Sequence, residues 1–324
     1  MPARRPAVRA LRPGRRPAAL PALAALACLA LAWGCASTGT YSHYDMGMQY
    51  LSGGRVDDAI QEFQESLQLD PSDPTVHDAL ADAYAGKGFL PEAIDEWKKT
   101  LKLSSDDPEF YGSGRDGKPR PAEWISDAMK ARKDARPRLL AALVSYGDTL
   151  NGEGKAAQAV LDWQEAVSLD PGDVDAWRRL GQALKKAGDA DGSMAAWKKV
   201  VELAPQDAEA RKALGYACFS KGLLGPALDA FLAYAKIQPN DPLAYNNLGA
   251  LYAREKRWDM AQQSFQKALQ MDPNMIPAMN GLASVYFYQK DWSGARKMWA
   301  QTLEADPNNA VAQENIKTLT QMGH

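Results

Sequence analysis

The chain is poor in the residues that build reactive centres. It has three cysteines and three histidines among 324 residues. Cys28 lies in an apolar leader run, Cys35 just beyond it, and Cys218 alone in the remainder, so that part cannot close a disulfide on itself. Cys218 reads as a small buried apolar residue. His43, His77 and His324 with one thiol are too few for the usual four-ligand zinc centre. No GxxxxGK[ST] or GxSxG stretch occurs, and the one GxGxxG match, Gly112 to Gly117, is followed by Pro119 and Pro121 in a glycine- and proline-rich stretch and does not open a helix after a strand, so the usual signs of phosphate loops, dinucleotide folds and nucleophile elbows are missing. Excess positive charge is also missing. Six of the 38 basic residues and none of the 40 acidic ones precede Gly34, so the remainder is at net −8, without a general attraction for nucleic acid. The longest apolar run, Ala18 to Trp33, has sixteen residues. That is short of the roughly 20 a spanning helix needs.

The first 34 residues read as a leader. Arg4, Arg5, Arg9, Arg12, Arg15 and Arg16 precede the apolar run, and Gly34 and Cys35 follow it. This order suits an export signal. Gly34 before Cys35 resembles the lipobox of bacterial lipoproteins, with Leu31 one place early and Trp33 where a small residue is usual. The resemblance implies cleavage before Cys35, lipidation of Cys35 and a membrane anchor at residues 35–39. Ala36 and Ser37 follow the cysteine where an Asp would retain such proteins at the inner membrane, which implies the periplasmic face of the outer membrane. The alternative is an ordinary secretory signal with Cys35 unmodified, leaving a soluble periplasmic chaperone-like adaptor.

What the chain does have is a period of 34 residues. Windows begin at Thr40, Pro74, Leu140, Val174, Ala208, Pro242 and Ile276. Position 8 is Gly47, Ala81, Gly147, Gly181, Gly215, Gly249 and Ala283; position 20 is Ala59, Ala93, Ala159, Ser193, Ala227, Ala261 and Ala295. Position 24 is Phe63, Trp97, Trp163, Trp197, Phe231, Phe265 and Trp299. Position 32 is proline in six of the seven windows, with Ser105 the exception, and position 15 is Gly54, Gly88, Gly154, Gly188 and Gly222 in five. Small side chains suit a close helix–helix approach, and the ring is expected to fill the space between one repeat and the next. Proline stops a helix, and glycine accepts the left-handed conformation at a helix end.

This pattern resembles the tetratricopeptide repeat, a pair of antiparallel helices. The resemblance implies an all-α, right-handed superhelical solenoid of seven helix pairs, with repeats one and two at 40–107 and repeats three to seven at 140–309. Residues 310–324 are expected to cap the stack, with Val311, Ile316 and Leu319 facing inward. Between the two blocks lies an insertion, 108–139. Its first half is rich in glycine and proline and reads as a loop; Ala122 to Ala135 reads as a helix carrying Trp124, Ile125, Ala128 and Met129 on one side. The insertion holds eight basic residues and five acids, and reads either as a spacer packed on the stack or as a contact site for an acidic partner or lipid headgroups.

No segment outside the repeats is large enough for a catalytic domain, so neither an enzyme nor a cofactor is expected. In tetratricopeptide folds, positions 2, 5, 9 and 12 face the concave surface. Here they supply Asp78, Asp82 and Asp148 in the early repeats. In the later ones they supply Arg178, Lys185, Lys212, Tyr216, Phe219, Asn246, Asn280 and Phe287. The groove should then be acidic at the lipid end and basic, amide-bearing and aromatic at the far end. The resemblance implies a scaffold for other envelope proteins, holding peptide segments or secretin-like subunits. Type IV pilus secretin assembly and gliding motility are the family's examples.

Overall fold

The structure is a computed structural model that describes residues 38–112 and 119–323. The leader, Cys35, the loop at 113–118 and His324 lie outside the described residues. Fifteen α-helices run through the rest: α1 Thr38–Ser52, α2 Val56–Leu69, α3 Pro74–Gly86, α4 Leu90–Leu103, α5 Ala122–Gly152, α6 Ala156–Leu169, α7 Val174–Lys186, α8 Ala190–Leu203, α9 Ala208–Ser220, α10 Leu224–Ile237, α11 Pro242–Arg254, α12 Trp258–Met271, α13 Ile276–Tyr288, α14 Trp292–Ala305 and α15 Ala310–Gln321. Each packs on its predecessor and its successor, and first helices also touch across repeats, α1 on α3, α3 on α5 and α11 on α13. That makes a solenoid of seven helix pairs closed by α15.

The same local chemistry recurs at each joint. Position 34 caps the next helix: the side chains of Asp73, Asp173, Asp207, Asp241 and Asn309 accept backbone N–H bonds from the first turns of α3, α7, α9, α11 and α15. Position 15 leaves the first helix with positive φ in all seven repeats. Five are the glycines, between +74° and +81°; the other two are Lys256 at +60° and Lys290 at +66°. A further joint is invisible to a search for identical residues. The carbonyl of the position-32 proline accepts a bond from the side chain six residues on. The donors are His77, Trp177, Arg211, Tyr245 and Gln313, to Pro71, Pro171, Pro205, Pro239 and Pro307. Residue type varies while donor function holds, so the carbonyls freed at the inter-repeat turn stay bonded.

Small and large side chains meet in the core. All seven position-20 residues and all seven position-24 rings are at most 4% exposed. Ser193 Oγ donates to the Gly181 carbonyl at 2.8 Å, which places positions 20 and 8 in contact. The rings pack against the next repeat, Phe63 with Val76 and Leu80 and Trp197 with Ala210. They also lie over position 8 of their own repeat: a Cβ on Gly147 would stand 2.7 Å from Trp163, and one on Gly47 2.5 Å from Phe63. Phe265 alone of these also crowds a glycine of the next repeat, Gly281. Each buried ring stabilises by about 1.5–3 kcal/mol.

Two expectations are corrected. The insertion helix does not end at Ala135. It runs on through Pro137 into the first helix of repeat three, giving the single 31-residue α5, about 46 Å long. The boundary between 139 and 140 therefore falls inside a helix. Trp124, Ala128, Ala131, Ala135, Leu139, Ala142, Leu143 and Leu150 form one buried stripe along it, and that burial outweighs the bond lost at Pro137. At the far end Val311 is 53% exposed, while Ala312 and Leu319 are fully buried and Ile316 packs beside them.

Candidate partner-binding surface

Four basic side chains of the insertion bond neighbouring parts of the stack. Arg120 lies over the Trp124 ring at 4.1 Å and bonds Asp70, and Trp124 Nε1 donates to Asp73. Arg132 donates to the carbonyls of Leu101 and Ser104 at the end of α4. Arg136 donates to the Leu169 carbonyl at the end of α6. Arg138 reaches Asp82 at 2.8 Å and Asp78 at 3.3 Å. These contacts correct the expected acidic groove. Asp78 and Asp82 share Arg138, and Asp148 pairs with Arg179 at 2.8 Å. Burial, followed by the charge of Asp82, pushes the Asp78 carboxyl up to about 7 despite Arg138. Burial raises Asp82 in the same direction. The Trp97 indole is buried beside the pair, and its N–H draws both carboxyls the other way, less strongly than burial.

The far end is arranged differently. Arg178 on α7 bonds Asp207 at 2.7 Å and also reaches Asp175. Asn280 on α13 donates to Asn309. Both position-5 side chains thus hold the residue that caps the next repeat. Lys212 pairs with Glu209 at 2.7 Å and lies 5.8 Å from the centre of the Tyr234 ring. Tyr234 bonds Asp241, and burial with that neighbouring carboxylate raises its phenol.

The remaining candidates lie on the first helices α7, α9, α11 and α13. Lys185 sits over the Tyr216 ring at 6.0 Å, and the Tyr216 hydroxyl donates to Asn247 at 3.0 Å. Tyr216 is 38% exposed and meets Phe231 edge-on. Asn246 is half-buried beside Asn247. The next step is Phe219, whose ring lies 4.8 Å beneath Arg254; Arg254 also donates to the Phe219 carbonyl. Phe287 packs edge-on against Trp292 and is half-buried. Asn247 Nδ2 and Asn280 Oδ1 are buried and find no partner among the described residues.

Arg254 borders a cleft of about 520 Å³ between α11 and α13, lined by Ala253, Arg254, Lys256, Trp258, Ser284, Val285 and Tyr288. Trp258 and Tyr288 stack at 4.9 Å with an interplanar angle of 11°, and Tyr288 is 64% exposed. Sequence reasoning missed Arg254, Trp258 and Tyr288. They stand at positions 13 and 17, outside the four concave positions, where the first helix turns into the second. The available signal was the pair of non-glycine residues at position 15, Lys256 and Lys290, which marks these two turns as unlike the other five. A stacked aromatic wall beside two cations offers an apolar platform and a site for an anionic group.

A helical-repeat solenoid with a lined surface of first helices is a binding scaffold by architecture. Models of the tetratricopeptide repeat match residues 47–88, 147–206, 180–242, 242–275 and 278–305, together more than half of the chain. The chain belongs to the tetratricopeptide-repeat family. No curated protein matches it. Among solved structures, YrrB, described as a TPR protein with an unusual peptide-binding site, is 18% identical with a TM-score of 0.50, the match covering 54% of this chain and 91% of YrrB. A MamA protein is 24% identical, TM-score 0.50, covering 53% of this chain and 93% of its own. MamA from Desulfovibrio magneticus is 20% identical, TM-score 0.50, covering 53% and 97%. At these identities the likeness is one of fold. No described helix is long and apolar enough to cross a membrane.

Proposed function

We propose that this chain is a lipid-anchored scaffold that holds an extended segment of another envelope protein along the first helices of repeats four to seven. The cleft between α11 and α13 carries the reading. Arg254 and Lys256 stand beside the stacked Trp258 and Tyr288, so a segment bearing an acidic residue next to an aromatic one fits best. The strip Lys185, Tyr216 and Asn247 continues the contact toward the middle of the stack. The peptide-binding site named for YrrB lies on the same fold and is consistent with this use.

The anchor rests on the leader and Cys35. It places the scaffold at the outer membrane facing the periplasm, with pilus secretin assembly and gliding motility as the kinds of machine served. A photoreactive residue in place of Tyr288, crosslinked in intact cells, should capture a discrete partner, and Arg254→Glu should lower the yield at least about tenfold with the fold retained. Undiminished capture by Arg254→Glu would end the cleft reading. Fractionation tests the anchor separately. Wild type should sediment with membranes and Cys35→Ala should not; equal release of both would leave the soluble adaptor.

A further inference from the structure

His43 on α1 and Glu62 and Glu65 on α2 aim one imidazole nitrogen and two carboxylates at a common point. Nδ1 lies 2.8 Å from Glu62 Oε2 and 3.4 Å from Glu65 Oε2. The three donor atoms all lie within 4.8 Å of one another. Glu62 and Glu65 are one helical turn apart and so share a face of α2, opposite the α1 histidine.

Repeat two has the same arrangement with one exchange. His77 and Glu96 occupy the positions of His43 and Glu62, and pair at 2.5 Å. The position of Glu65 is taken by Lys99, whose ammonium lies 2.8 Å from Glu96. There the acid is balanced by a fixed cation, and the second ring nitrogen is bonded to the Pro71 carbonyl. In repeat one a second carboxylate replaces the cation. Among the described residues, no lysine or arginine pairs with either acid. With a neutral imidazole the group carries two negative charges. The side chains are 28%, 17% and 41% exposed, so an ion can reach them.

We propose that His43, Glu62 and Glu65 bind a divalent transition-metal ion of the zinc class. Imidazole with carboxylates suits Zn²⁺, Ni²⁺ or Cu²⁺, whereas Ca²⁺ and Mg²⁺ take oxygen donors. Bonds of about 2.0–2.2 Å place donor atoms on the order of 3.3 Å apart, within the spread seen between these side chains. The ion displaces any proton on Nδ1 to solvent and joins α1 to α2. Three protein ligands leave a coordination position for water or for a donor from a partner.

Titration calorimetry of the untagged full-length protein in detergent, stripped of metal and then given ZnCl₂, tests this. One Zn²⁺ should bind per chain and raise the melting temperature. Glu65→Lys, which gives repeat one the set found in repeat two, should weaken binding about 100-fold or more while leaving the metal-free melting curve intact. Glu65→Gln serves if the lysine variant folds poorly, and His43→Gln should also lose the ion. No heat and no thermal shift in the parent would overturn the site. So would undiminished affinity in the Glu65 and His43 variants, which would put the bound ion elsewhere.

Discussion

Gly215 lies so close beneath the ring of Phe231 that a Cβ built on it would stand 2.4 Å from the ring carbon Cε1. The ring is 1% exposed and has no room to withdraw. Gly215→Ala should therefore destabilise by about 1–3 kcal/mol, read as a lower denaturation midpoint, despite alanine's better helix propensity. Gly225→Ala is the control. A Cβ there meets nothing within 4 Å, so that variant should be neutral or stabilised by up to about 1 kcal/mol. Equal behaviour of the two would contradict the packing of ring on glycine.

Much of this core was legible because the size of a side chain is a direct property of the sequence. Gly215, Ala227 and Phe231 recur in step with their equivalents and have one physical explanation. Which glycine each ring would cover was not legible, since a ring between two repeats can lean either way. The donors to the proline carbonyls were hidden because His77, Trp177 and Gln313 share a function and no shape. The charge of the groove is hidden from the sequence for a related reason. Position on α3 identifies Asp78 and Asp82, while the arginine that pairs with them, Arg138, is sixty residues from Asp78 in the chain. The cleft beside Arg254 depends on where a turn places Trp258 against Tyr288 of the following repeat, which no periodic position encodes.

Lys256 and Lys290 hold the backbone conformation that glycine holds in the other five repeats. A side chain there costs about 1–2 kcal/mol, partly offset because glycine has more freedom to lose on folding. Lys290→Gly should accordingly stabilise by about 0.5–1 kcal/mol in denaturant melts, and Gly222→Ala should destabilise by a similar amount. A loss of stability in Lys290→Gly would show that the lysine side chain contributes more than its backbone strain removes.

Asp78 makes stability depend on pH. Burial first, and the charge of Asp82 second, lift its carboxyl from 3.8 to about 7. The folded chain therefore binds this proton more tightly than the unfolded chain does. Its contribution is fully present below about pH 4 and is lost as pH rises to about 7. Asp78→Asn removes the loss. At pH 8 the variant should exceed the parent by about 1–3 kcal/mol, and at pH 4 the two should match. Thermal melts across that range give the comparison. An advantage of the same size at both ends would show that the ionisation of Asp78 does not cause it.

Pro137 separates the two readings of α5. In the middle of a helix it lacks the N–H that would bond the Lys133 carbonyl, and its ring crowds that turn. The sequence alone favours a break there. The structure keeps the helix continuous because Ala135 and Leu139 on either side are at most 1% exposed, and Arg136 and Arg138, which flank the proline directly, tie α5 to its neighbours. If the helix is continuous, Pro137→Ala restores a hydrogen bond and removes a steric conflict. It should stabilise by about 1–3 kcal/mol, since proline costs about 3 kcal/mol relative to alanine in a helix interior. If the chain breaks at Pro137, alanine there gains no helical bond, and its greater freedom in the unfolded chain makes the change neutral or slightly destabilising. The sign of the shift in denaturation midpoint therefore decides whether the insertion and repeat three share one rigid helix or meet at a joint.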